Sequence, residues 1–186
     1  MKKVSFTAIV LSLFLLTSFT VTQDKLVSKS THISFYSHTS VEDIVANNYK
    51  VVSTLETTTG NIVYSVPMQS FEFEKSLMQK HYNSKKFLDT KTYPKAKFIG
   101  TITNLESIDF TKDGSYNATV TGKLTIKDQT NPINEKAIIT VTGGKVSLDT
   151  KMNLTLSDYG VVFSDGKPSE NIAKELEVTV KAVYGN

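Results

Sequence analysis

From Tyr116 to Ile126 the chain reads YNATVTGKLTI. Tyr116, Ala118, Val120, Leu124 and Ile126 share one face, and Asn117, Thr119, Thr121, Lys123 and Thr125 share the other. A period of two fits a strand with one dry and one wet side, and no helix keeps such a face. Gly122 falls on the dry side, where it can coil the strand or make room for a neighbour. The pattern returns in Val146 to Leu156, where Thr150 shares a face with Val146, Leu148, Met152, Leu154 and Leu156. It returns again in Leu176 to Tyr184. Weaker alternation marks strands at His32–Ser37, Tyr49–Leu55, Ile62–Met68, Lys95–Leu105 and Ala137–Val141. The phase slips between Met68 and Phe71, which predicts a bend near Pro67–Ser70.

Gly60-Asn61, Asp113-Gly114 and Gly143-Gly144 are hairpin-type signals, and the last predicts antiparallel neighbours on either side of it. Asp165-Gly166-Lys167-Pro168 reads as a loop. Helical signals are few. Ser40 to Ala46 reads as a turn or two of helix with Ser40 as N-cap, and Lys75 to His81 as a second short helix. Many strands, one-sided alternation and short turns imply an all-β fold: an antiparallel sheet closed into a barrel of about eight strands, with one or two short helices. Eight strands leave an interior that side chains fill or that holds one slender ligand.

Met1-Lys2-Lys3 followed by the apolar run from Ala8 to Phe19 is the pattern of a secretory signal peptide. The expected division is residues 1–22 as signal peptide and 23–186 as one barrel domain; an uncleaved N-terminal anchor is the alternative. The run is shorter than the roughly 20 apolar residues a spanning helix uses. The chain has no cysteine, which rules out a disulfide framework, thiol catalysis and thiolate metal ligation. Without Lys2 and Lys3, 19 basic residues face 18 acidic ones, and all the basic ones are lysine. A nearly neutral chain without arginine is a poor nucleic-acid binder. These features predict a periplasmic or secreted protein with no stable membrane insertion once the signal is removed.

Catalytic and metal patterns are weak. His32, His38 and His81 lack partners at metal-ligand spacing. No Gly-x-Ser-x-Gly elbow and no phosphate loop occurs. Glu72 and Glu74 alternate with Phe71 and Phe73, as solvated neighbours on a strand do. No cofactor is implied. Lys80, Lys85, Lys86, Lys91, Lys95 and Lys97 form either a solvated rim or an electropositive lip for an anionic head group. Large apolar residues, among them Phe35, Phe71, Phe73, Leu77, Met78, Phe87, Phe98 and Phe110, crowd the first half of the predicted mature chain, and periodicity alone cannot separate a filled core from a lined tunnel.

LMQKHYNSKKFLDTKTYPKAKFIG, Leu77 to Gly100, resembles the central signature of the YceI-like family, with His81, Phe87, Leu88, Asp89, Tyr93, Pro94 and Phe98 at the matching positions. GKLTIKDQTNPI from Gly122 and SDYGV from Ser157 resemble two further segments of it. Lys127-Asp128-Gln129-Thr130 departs from the family's usual Gly-Val-Thr. The resemblance implies a lipocalin-like barrel with an apolar tunnel for a polyisoprenoid or other long-chain lipid, serving transport, storage or stress handling rather than catalysis. Parity and resemblance together nominate Phe35, Tyr64, Val66, Met68, Phe73, Leu77, Phe98, Val120, Leu124, Met152 and Leu154 as tunnel lining. They nominate His81 and Asn83 for the head-group end. Tyr93-Pro94 is expected to turn a structural corner. A homodimer is compatible with this reading. Two rivals remain: a structural or interaction domain with a filled core and no ligand, and a lipid-acting hydrolase or isomerase dependent on His81.

Overall fold

The computed structural model describes residues 25–162 and 170–185. The expected signal segment and the Asp165–Pro168 loop lie outside them. Ten strands form one antiparallel sheet: β1 (Lys25–His38), β2 (Asp43–Asn48), β3 (Val52–Glu56), β4 (Asn61–Pro67), β5 (Glu72–Phe73), β6 (Lys95–Ile102), β7 (Gly114–Ile126), β8 (Gln129–Thr142), β9 (Lys145–Thr155) and β10 (Glu175–Tyr184). Eight of them close a barrel in the order β1-β3-β4-β6-β7-β8-β9-β10, and β10 returns to β1 with Phe35 opposite Val178. Closure gives every barrel strand a partner on both sides along at least part of its length, where an open sheet would leave two bare edges.

The first hairpin is irregular in a useful way. β2 and β3 follow β1 in a single register, Ile33 opposite Asn48 and Val27 opposite Thr54, but the strand breaks between them. At the break Tyr49 stacks on His32 with ring centroids 4.5 Å apart. Buried Asn48 ties the break down: its Nδ2 donates to Pro67 O at 2.9 Å and its Oδ1 accepts from Lys50 N at 2.9 Å. Beyond the break β2 turns away from β4 and pairs with β5. One end of the barrel is therefore walled by β2, β5 and helix α1 (Ser76–Asn83).

The expected helix at Ser40–Ala46 is not formed. Thr39 Oγ1 accepts from the amides of Val41 and Glu42 and closes a turn, and Asp43–Asn48 is strand β2. Ile44 and Ala46 face inward while Val45 faces out, so pairing with β1 overrides the local capping signal. Asp113-Gly114 does not make a tight hairpin either; eleven residues, 103–113, connect β6 to β7. The bend after Pro67 is a single 3-10 turn at Met68–Ser70. Gly143 and Gly144, at φ 55° and 76°, form the tight link from β8 to β9.

Gly100 and Gly122 sit opposite each other on β6 and β7, and the ring of Phe98 lies across both. A Cβ added at Gly122 would stand 2.6 Å from Phe98 Cζ and 2.5 Å from Ile99 O. The glycine that interrupts the apolar face thus admits a ring into the barrel.

Candidate functional site

The interior has two unlike halves. Toward the end holding the β3–β4 and β8–β9 turns it is solid. Leu55, Ile139, Val141, Ala182 and Tyr184 are essentially inaccessible there. A polar chain crosses this region: Ser53 Oγ donates to Tyr184 Oη at 2.9 Å, and Tyr184 Oη donates to Tyr64 Oη at 3.1 Å. Burial raises the pKa of both tyrosines, so they stay neutral and bonded.

Toward the α1 end the interior is hollow. A cavity of about 520 Å³ opens there, within the range of small-molecule pockets. It extends outward past Leu77 and Lys75, both exposed. All eleven residues nominated for the lining stand on its wall. Phe35 comes from β1, Tyr64 and Val66 from β4, Met68 from the following turn, Phe73 from β5 and Leu77 from α1. Phe98 comes from β6, Val120 and Leu124 from β7, and Met152 and Leu154 from β9. His81 is on the wall and exposed at the outer end. Asn83 is not among the lining residues; its Oδ1 accepts from the buried Thr90 Oγ1 at 2.7 Å and fixes the loop after α1.

The remaining sequence candidates lie elsewhere. His32 bonds Asn47 at 2.8 Å and His38 bonds Asp43 at 2.6 Å, both on the outer surface of the first hairpin. Lys80, Lys85, Lys86, Lys91, Lys95 and Lys97 are exposed and do not line the cavity. Tyr93 is not among the lining residues, and Lys127 Nζ stands 6.0 Å from its ring centre.

Three features of the site were not anticipated from the sequence. Glu42 joins the three segments around the opening: Lys75 Nζ donates to it at 2.7 Å and Asn171 Nδ2 at 2.8 Å. Those bonds, the one from Lys75 first, hold its pKa below the ordinary glutamate range. Tyr82, on α1, packs against Phe35, Phe71, Phe73 and Phe87 with centroid distances of 6.1, 5.7, 5.0 and 6.2 Å. Eight residues are too few for a stable isolated helix, so this packing holds α1 in place. Last, the β8–β9 ladder stops at Ala137 and Thr150, and Gln129–Lys136 pair with β7 alone. Ile133, Glu135 and Met152 line the cavity along that parting.

The family model described as YceI-like domain matches residues 25–184. A UPF0312 protein of Pseudomonas putida strain W619 is 31% identical over 110 residues, covering 56% of this chain and 52% of the relative. One from Pseudomonas syringae pathovar tomato is 32% identical over the same length and coverage. The chain thus spans about half the length of the curated relatives it matches. Among solved structures, a polyisoprenoid binding domain from Saccharophagus degradans implicated in plant cell wall breakdown superposes with a TM-score of 0.73 at 11% identity, covering 87% of this chain and 97% of that one. Burkholderia cenocepacia BcnA gives 0.68 at 19% identity, covering 82% and 95%. At these identities the structural likeness is one of fold.

Proposed function

The chain belongs to the YceI-like family, and from that premise we propose that it is an exported carrier that holds a polyisoprenoid or other long-chain amphiphile in the hollow half of its barrel. The observation that carries this reading is the apolar cavity of about 520 Å³ inside a closed sheet, open at the α1 end. Each methylene moved from water into such a space contributes about 0.8 kcal/mol, so a chain of about ten carbons binds without a charged anchor. The eleven lining residues grip the tail, and His81 at the outer end meets the head group. Asn83 supports that end indirectly, by holding Thr90 and the loop after α1. Export is supported by the signal-like pattern of residues 1–22. Binding, not turnover, is the activity proposed.

Native mass spectrometry on gently purified protein tests the reading. A carrier arrives with an adduct of lipid mass that organic extraction removes. A bare chain mass, together with failure to take up added long-chain lipid, overturns the proposal and favours the filled structural domain.

A further inference from the structure

Buried tyrosine hydroxyls normally find a hydrogen-bond partner. Tyr184 follows this rule, bonded on both sides by Ser53 and Tyr64. Tyr82 does not. It is 5% exposed, its ring is enclosed by four phenylalanines, and its Oη is the buried side-chain polar atom left without a partner among the described residues. Phenylalanine would fill the same place without burying an unmet donor. Tyr82 also lies on the cavity wall, and three of its enclosing rings, Phe35, Phe73 and Phe87, are half-buried and line that wall too. A guest in the cavity therefore rests against the same ring set.

We infer that Tyr82 Oη, enclosed behind these rings with no accessible surface of its own, is a recognition point that a guest in the cavity reaches by displacing Phe73 or Phe87, selecting guests that carry an uncharged acceptor oxygen, such as the carbonyl of an ester, ketone or amide, on a long hydrocarbon chain. The oxygen supplies the bond the protein lacks. An anionic group gains less, because phenylalanines surround the hydroxyl and the lysine on the cavity wall, Lys75, is already paired with Glu42. Burial keeps the hydroxyl protonated and so a donor. The inference rests on the carrier reading and adds a preference to it.

The test compares methyl palmitate, palmitate and octadecane as displacers of a naphthylamine fluorophore from delipidated protein, in wild type and Tyr82→Phe. In wild type the ester is expected to bind about fivefold tighter than the alkane, the worth of one neutral hydrogen bond, and tighter than the carboxylate. In Tyr82→Phe the ester-to-alkane ratio falls to about one, alkane affinity is kept, and the melting temperature of the ligand-free protein holds or rises. An ester preference that survives in Tyr82→Phe, or a wild type that does not discriminate, overturns the inference and leaves the carrier reading standing. A lowered melting temperature in Tyr82→Phe also overturns it, since the hydroxyl then has a partner in the free protein. If none of the three displaces the fluorophore from wild type, the carrier reading falls as well.

Discussion

The two halves of this barrel use one sequence pattern for opposite ends. In the solid half, Leu55, Ile139 and Val141 are fully buried in the core and a bonded Ser53–Tyr184–Tyr64 chain crosses the interior. In the hollow half, Phe35 and Met152 alternate just as regularly but, like Phe73 of β5 and Met78 of α1, are only partly buried around open space. Each half has a buried tyrosine: Tyr184 is bonded on both sides, and Tyr82 is not. Close packing supplies stability, and open apolar wall supplies capacity for a guest. The two meet at Tyr64, which ends the polar chain and stands on the cavity wall.

If this division holds, truncation in the solid half should have the largest effect. Leu55→Ala is expected to cost about 3 kcal/mol in urea unfolding and to leave lipid uptake per folded molecule unchanged. A smaller loss, with altered binding, would break the division. Met152→Trp probes the other half. The indole should occupy the cavity and weaken long-chain lipid binding tenfold or more, about 1.4 kcal/mol, with stability changed by less than about 1 kcal/mol. Ile139→Trp, the same swap in the solid half, should destabilise by about 1–3 kcal/mol and spare binding. Calorimetric titration beside thermal melts reads both. Tyr184→Phe removes the middle of the polar chain and should cost about 1 kcal/mol, where Tyr82→Phe should cost nothing.

The smallest effect concerns the opening. Because the pKa of Glu42 is depressed in the folded state, its bonds to Lys75 and Asn171 are in place above the ordinary glutamate range. They are lost as pH falls through the lowered value. Release of a bound fluorophore in stopped flow should quicken on acidification, and Glu42→Gln should flatten that dependence. A pH response equal in the two proteins would remove Glu42 from the opening's control.

Period-two alternation made the barrel legible because each strand shows a dry face, and the same parity put residues such as Phe35, Tyr64 and Met152 on the inside. It could not tell hollow from filled. Ile139 and Met152 share a parity class, and only the position of β2, β5 and α1 decides which has neighbours across the barrel. Tyr82, between His81 and Asn83, is marked by no strand pattern, because orienting a short helix needs its tertiary contacts; its spacing of four from Met78, both on the cavity wall, is the available signal. Glu42 was hidden for another reason. Its partners lie 33 and 129 residues away in the chain, beyond any local pattern.

The parting of β8 from β9 bears on how thick a guest the fold can take. Spreading the wall there breaks no rung of the ladder, since the rungs end at Ala137 and Thr150. The ties across that region are side-chain bonds, Thr150 Oγ1 to Lys136 O at 2.7 Å and Asn131 Nδ2 to Asp158 O at 2.6 Å. A sheet fully stitched around its girth would admit one calibre of tail. This one carries a slit fastened by two side-chain buttons, so its girth is set there by bonds that are easier to remake than a backbone ladder.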